Sequence, residues 1–436
     1  MSIIEQRTQR TQWFCQDRFG MFIHWGLYAI PGRGEWVRSD EEIRAADYRV
    51  YFDEWNPVRC DMRQWAQAAK NAGMKYAVLT AKHHEGFALW DTQYSDFKTT
   101  NTACKRDFVK EYAEAFREAG LKVGIYFSLL DWEHPDFPAY SDRFHADRNH
   151  EEFKDRTHDW NQYLDFMHGQ VRELMSNYGK IDLLWFDFSY DEHIAENWRG
   201  KELLEMVRSL QPEIVINGRL EGSGESYGSI MTDNPSIYSG DFTCPEMIIP
   251  PRGLVTPSGQ DVPWEACFTL DNNWGYAPND RHHKNAAQIV RKLVECVSKH
   301  GNMIVNVSPT AKGELPEWQL EVLAQVGKWM HRNSESIYGC GRADLPKPEW
   351  GRYTQKDGVV YAHVTEAAIG ALALPGLKGR VQKIRRLADG FEMRVLTPWV
   401  AKEFPDCEFV NYGVPDYFSF TPADDVDEVL EITLCD

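Results

Sequence analysis

Ile181-Asp182-Leu183-Leu184-Trp185-Phe186-Asp187 is a short apolar run closed by a carboxylate. An amphipathic stretch at 161–178, followed by Gly179, leads into it. A short apolar run reads as a buried strand, and a glycine just past a helical pattern reads as a left-handed cap. The same unit recurs along most of the chain. Apolar runs at 20–25, 76–81, 122–128, 182–188, 214–217, 267–270 and 302–307 alternate with helical patterns at 62–72, 108–119, 161–178, 202–210 and 286–299. A weaker run at 238–242 brings the strands to eight. Gly73 and Gly120 stand where Gly179 does, just past a helix. Strands alternating with helices predict a parallel sheet with crossover connections, and eight of them predict a (β/α)8-type barrel. No helix is visible between the sixth and seventh runs.

Beyond about residue 338 the texture changes. Segments at 359–364, 393–396, 416–420 and 428–434 are short, apolar-rich and separated by Gly, Pro or Asp. That pattern predicts a C-terminal antiparallel β-sandwich. The expected organisation is a barrel over 1–340 and a sandwich over 346–436.

Composition narrows the function. The chain has 43% hydrophobic and 26% charged residues, a globular balance. Its 16 Trp, 19 Tyr and 22 Phe exclude a disordered chain and suit sugar-binding faces as well as a large core. A formal charge of −18 argues against nucleic acid or an anionic membrane surface as partner. No stretch approaches the roughly 18 apolar residues of a membrane helix. Met1-Ser2-Ile3-Ile4-Glu5-Gln6-Arg7 lacks the apolar core of a signal peptide, and nine scattered cysteines include no C-x-x-C pair. Reduced thiols in a cytoplasmic protein are therefore expected.

In such a barrel the chemistry sits at the carboxyl ends of the strands. Those ends read His24-Trp25-Gly26, Lys82-His83-His84-Glu85-Gly86, Tyr126-Phe127-Ser128, Trp185-Phe186-Asp187 and Asn217-Gly218-Arg219. Five polar ends converging predict a site. Asp187 is the sharpest signal, because a carboxylate closing a buried run is costly unless its charge is paired. His24, His83, His84 and Arg219 are the expected donors that keep it ionised, as nucleophile or base. Adjacent histidines on a strand face opposite ways, so His83 and His84 are a poor metal pair. Hydrogen bonding to hydroxyls is expected instead, with no metal and no cofactor.

The segments Phe22-Ile23-His24-Trp25-Gly26, Gly34-Glu35-Trp36, Lys82-His83-His84-Glu85-Gly86-Phe87, Trp185-Phe186-Asp187 and Trp274-Gly275-Tyr276 resemble, in order and spacing over about residues 10–340, the α-L-fucosidases of glycoside hydrolase family 29. The resemblance implies removal of terminal α-L-fucose from fucosylated oligosaccharides or glycoconjugates, with retention and without metal. It places Asp187 at the nucleophile position. His24, Glu35, Trp36, His83, His84, Tyr126 and Arg219 fall at fucose-contacting positions, with Trp185 and Trp274 as pocket walls. Two departures stand out. Phe188 follows the nucleophile where many relatives have Gly, and Asn217-Gly218-Arg219 stands where Asn-Asp-Arg is common.

The acid/base lies on a variable loop after strand five, where Glu221, Glu225, Glu246 and Glu265 are candidates. Thr243-Cys244-Pro245-Glu246 is similar to the segment bearing that role in several family members, which favours Glu246. Glu265 would sit at the amino end of a strand, away from the active face. The alternatives are a retaining glycosidase for a related sugar such as galactose, and a catalytically silent sugar-binding protein. A homo-oligomer is compatible with the sequence.

Overall fold

The computed structural model describes residues 2–223, 226–413 and 418–435. Seven parallel strands form one sheet in the order β5-β4-β3-β2-β1-β7-β6: β1 (Phe19–Ile23), β2 (Tyr76–Lys82), β3 (Lys122–Ser128), β4 (Leu183–Asp187), β5 (Val215–Ile216), β6 (Glu265–Thr269) and β7 (Asn302–Val307). Helices at Met62–Asn71, Phe108–Glu118, Trp160–Asn177, Gly200–Leu210, Ala286–Val297 and Glu317–Asn333 lie between and after the strands. Their amphipathic faces build the outer core, in which Trp25, Trp65, Trp90, Trp198, Trp264 and Trp329 are buried. Local signals explain where they start and stop. Asp61, Asp107 and Asp159 each accept a first-turn backbone N–H, and Gly179 takes φ +73 to turn the chain into β4.

The sixth expected strand, 238–242, is not a strand. The gap between β5 and β6 is closed by an irregular stave in which Phe242 bridges Asn217, Thr243 bridges Trp264 and Glu246 bridges Cys267, all in parallel. Gly218 N donates to Phe242 O at 2.9 Å, and Cys267 N donates to Pro245 O at 3.1 Å. Pro245, Pro250, Pro251 and Pro263 offer no N–H in this stretch, so a regular ladder cannot propagate. Among the described residues no helix lies between this stave and β6. The next strand begins at Glu265, two residues earlier than the sequence suggests.

From Gly341 the chain forms two antiparallel sheets. One has the order β12-β15-β10-β9-β8, from β8 (Gly341–Arg342), β9 (Gly351–Lys356), β10 (Val359–Val364), β12 (Val381–Arg386) and β15 (Glu428–Leu434). The other has the order β11-β14-β13, from β11 (Leu372–Pro375), β13 (Arg394–Leu396) and β14 (Cys407–Asn411). Val360, Ala362, Ile384, Leu430 and Ile432 from the first sheet share a core with Leu372, Leu374 and Val410 from the second. This is sandwich packing. Five of these strands, β8, β9, β11, β12 and β14, are missing from the sequence reading, and the expected strand at 416–420 lies partly outside the described residues. Trp329 Nε1 donates to Asp427 O at 2.8 Å, tying the sandwich to the last barrel helix. No helix among the described residues is long and apolar enough to cross a membrane.

Candidate active site

Side chains pointing into a parallel barrel alternate with those facing the helices. Phe22, Tyr126, Trp185, Phe242, Cys267 and Ile304 fill the middle of the interior. Above them, at the carboxyl ends of the strands, one cavity is lined by Phe22, His24, Glu35, Trp36, His83, His84, Tyr126, Trp185, Asp187, Phe188, Arg219, Glu246 and Trp274. Every site residue expected from the sequence is in that wall. Glu221 is elsewhere, with its carboxylate accepting from Ser229 and Ser236. Glu225 lies outside the described residues. Glu265 is buried deeper in the barrel, at the amino end of β6.

Asp187 is the last residue of β4 and is 8% exposed. Arg219, in the turn after β5, donates from Nη1 to Asp187 Oδ1 at 2.7 Å. The Tyr126 hydroxyl donates to Asp187 Oδ2 at 2.8 Å. Arg219 Nη2 donates to Glu246 Oε2 at 2.6 Å, so one guanidinium joins two carboxylates. Burial opposes the charge of Arg219, but Glu246 and Asp187 outweigh it and hold its pKa above the ordinary value. The guanidinium lies over the Trp185 ring, 4.4 Å from its centroid. Glu246 projects from the irregular stave with its side chain 37% exposed, at the open rim.

The histidines differ from expectation in charge and in direction. Burial drives His24 and His84 down to about 3, with Arg219 and Lys82 adding to the effect at His84. Burial also pushes His83 well below its usual value. All three are neutral at ordinary pH, so they are not cationic partners of Asp187, and that charge comes from Arg219. His83 and His84 both face the cavity, with ring centroids 4.0 Å apart, because they follow the end of β2 where strand alternation no longer applies. Among the described residues, no three His, Cys, Asp or Glu side chains are grouped as a metal site.

Two polar partners set the histidine tautomers. The Ser128 hydroxyl donates to Leu130 O, so its oxygen accepts from His84 Nδ1 at 2.8 Å. Asn306 Nδ2 donates to Trp274 O, so its Oδ1 accepts from His24 Nδ1 at 2.7 Å. Each histidine then keeps an Nε2 lone pair, an acceptor suited to a hydroxyl proton. Glu35 Oε2 accepts from Trp274 N at 3.1 Å and Gly275 N at 2.8 Å, which holds the Trp274 loop over the cavity. Burial raises Glu35 to about 6 despite these bonds.

Asn306 and Phe22 have no role in the sequence-derived site, Ser128 stands there only as the end of the third strand, and Phe188 only as a departure beside the nucleophile. Ser128 and Asn306 carry the signal used for the others, a polar residue near the end of an apolar run. Phe188 carries one in its departure from the Gly of many relatives. It takes φ +80, a left-handed conformation that favours glycine. Its ring packs 4.8 Å from His84 and 5.3 Å from Trp36, so it narrows the cavity beside Asp187. At the other departure, a side-chain carbon on Gly218 would stand 2.9 Å from Ser239 O, so the loop leaves no room for the commoner Asp.

The sequence model of the family described as Alpha-L-fucosidase matches residues 3–335. Human plasma alpha-L-fucosidase is 31% identical over 384 residues, covering 81% of this chain and 76% of the relative. Among solved structures, alpha-L-fucosidase isoenzyme 1 from Paenibacillus thiaminolyticus is 56% identical with a TM-score of 0.95, covering 99% of this chain and 100% of that one. A Bacteroides thetaiotaomicron alpha-L-fucosidase, trapped as a covalent intermediate with 2-fluoro-fucosyl fluoride, is 29% identical with a TM-score of 0.82 over 98% of this chain and 96% of that one.

Proposed function

The chain belongs to the α-L-fucosidase family of glycoside hydrolases, and from that membership we propose that it is a retaining exo-α-L-fucosidase acting on fucosylated glycans by double displacement. The observation that carries this reading is the arginine shared by two carboxylates, Asp187 and Glu246. Groups held by neighbouring nitrogens of one guanidinium lie close together, a span compatible with the roughly 5–5.5 Å of a retaining pair.

In the first step an Asp187 oxygen bonds to the anomeric carbon as the bond to the leaving oxygen breaks. That oxygen keeps the electron pair and takes the proton of Glu246. Asp187 has then become a neutral ester and Glu246 a carboxylate. Arg219 touches both groups, so it balances the negative charge before and after the transfer with little movement. In the second step water gives its proton to Glu246 and attacks the anomeric carbon, and the ester bond to Asp187 breaks. The buried floor around Asp187 suits a nucleophile and the open rim suits an acid that must reach a leaving group.

The neutral histidines offer acceptors for sugar hydroxyls, and Trp274 offers an apolar face for the C5 methyl group. A galactosidase would need a polar partner for CH2OH, and the aromatic lining favours fucose. Incubation with a 2-fluoro-fucosyl fluoride, followed by peptide mass spectrometry, should place the label on Asp187. Label on another residue, or none on an enzyme that cleaves aryl fucosides, rejects the mechanism. Faster cleavage of an aryl galactoside than of the fucoside rejects the substrate.

A further inference from the structure

A second cavity opens on the same face of the barrel, and the double displacement does not use it. Asp271 stands two residues past the end of β6 and Ser308 one past the end of β7, so both walls rise from the carboxyl ends of strands. The cavity holds about 280 Å³ between these residues, Tyr276, Arg281, His283 and Trp318. One loop separates it from the active site: Trp274 lines the first cavity and Tyr276 the second. Two residues span about 7 Å of chain at most, so the cavities are near neighbours.

The walls are fixed before any ligand arrives. His283 lies flat on Trp318, with ring centroids 3.6 Å apart and planes 4° apart. Its Nε2 donates to Asp280 O at 3.1 Å. Asp280 Oδ2 accepts from Asn272 N at 2.8 Å and Asn273 Nδ2 at 2.9 Å, so that carboxylate is committed to the loop. Two charged groups are not committed in this way. Asp271 is 3% exposed and its Oδ1 accepts from Asn273 N at 3.0 Å, yet its Oδ2 accepts no hydrogen bond among the described residues. Arg281 makes neither a hydrogen bond nor an ion pair among them. The helix Glu317–Asn333 starts at this wall without a side-chain cap, which leaves first-turn N–H groups as donors.

These groups define a ligand class. Asp271 and Asp280 repel an anion, while Arg281 and the helix N-terminus repel a cation. A neutral polyhydroxyl ligand suits both. The free carboxylate oxygen accepts from a hydroxyl, the guanidinium and backbone N–H groups donate to one, and Tyr276 and Trp318 cover C–H faces. We propose that the second cavity is a subsite for a neutral sugar ring of the substrate glycan, one other than the fucose being cleaved. The proposal extends the fucosidase reading and rests on it for the identity of the glycan. Binding energy gained there favours a large glycan over a simple fucoside.

The test compares the full chain with W318A and R281A. Titration calorimetry uses lacto-N-tetraose, diacetylchitobiose and a xyloglucan heptasaccharide, none carrying fucose, and at least one should bind the wild type at millimolar concentration. Saturating free fucose should leave that binding in place, and each variant should weaken it about tenfold or more. The kcat/KM for the fucosylated form of the same oligosaccharide, divided by that for an aryl α-L-fucoside, should fall about tenfold in each variant. No binding by the wild type, displacement by fucose, or variants that match the wild type in either measurement overturns the proposal. If W318A does not fold, R281A, whose side chain is exposed, decides by itself. If the wild type fails to cleave the fucoside, the functional reading falls, while the calorimetry still reports whether the subsite exists.

Discussion

Arg219 Nη1 stands 2.7 Å from Asp187 Oδ1, deep in the cavity where Asp187 is almost closed to solvent. Its other terminal nitrogen holds Glu246 at the rim, so the arginine serves whichever carboxylate is charged. R219M should therefore lower kcat by roughly 10²–10³, the usual loss for one preorganised charge donor. R219K, which keeps a charge but cannot fork between two acids, should recover only part of it. Steady-state kinetics on an aryl fucoside checks this, and R219M at wild-type turnover contradicts it.

The two carboxylates should separate by rescue. D187N should lose about 10⁴-fold or more in kcat while the melting temperature stays within a few degrees. E246A should keep slow turnover of an activated aryl fucoside, whose leaving group needs no proton, and added azide should accelerate it with formation of a fucosyl azide. Azide rescue of E265A, with none for E246A, would move the acid/base role into the barrel.

The neutral histidines bear on acid pH. His24 and His84 lie at about 3, far below the ordinary histidine value, because burial opposes their charge. A lowered histidine stays uncharged until the pH falls to its own pKa. Binding of free fucose, followed by calorimetry, should therefore show no break between about pH 4 and about pH 7 from these groups. A break near pH 6.5 that vanishes in H84Q or H24N would contradict the assignment.

Phe188 holds φ +80 beside the nucleophile, where a non-glycine residue costs about 1–2 kcal/mol. F188A loses the ring and keeps the backbone cost, whereas F188G loses the ring and relieves it. F188G should thus be the more stable of the two by about 1 kcal/mol in denaturant titrations. Both should accept bulkier leaving groups relative to the wild type, since the ring against Trp36 and His84 narrows the cavity. An F188A more stable than F188G would disprove the strain.

Glu265 should leave a mark on the pH dependence of stability. Burial raises it from 4.5 to about 8, so between those values the folded chain holds a proton that the unfolded chain has lost. Its contribution is complete below the unfolded value and fades as the pH climbs toward 8. E265Q has no proton to lose. Its melting temperature should accordingly gain on the wild type from about pH 5 to about pH 8, and a constant gap would contradict the shift.

Much of this protein was legible in one dimension. Strand ends can be read locally, because an apolar run and the polar residue closing it are neighbours in the chain. That is why the chain alone places His24, His83, Asp187 and Arg219 at one face of a barrel. The stave carrying Glu246 resisted, because its prolines suppress a strand pattern while single bridges to Asn217 and Cys267 still hold it in the ring. Partners far apart in sequence were equally hidden: Asn306 lies 282 residues from the histidine it orients, and Tyr76 lies 189 residues from Glu265. Charge states were beyond reach as well, since a histidine is neutral or cationic according to what buries it, and burial belongs to the folded ensemble of strands. The sequence alone thus determined which chemical groups stand at the barrel mouth. Tertiary structure decided which of them carry charge and which share a partner, because desolvation and hydrogen bonding act through space.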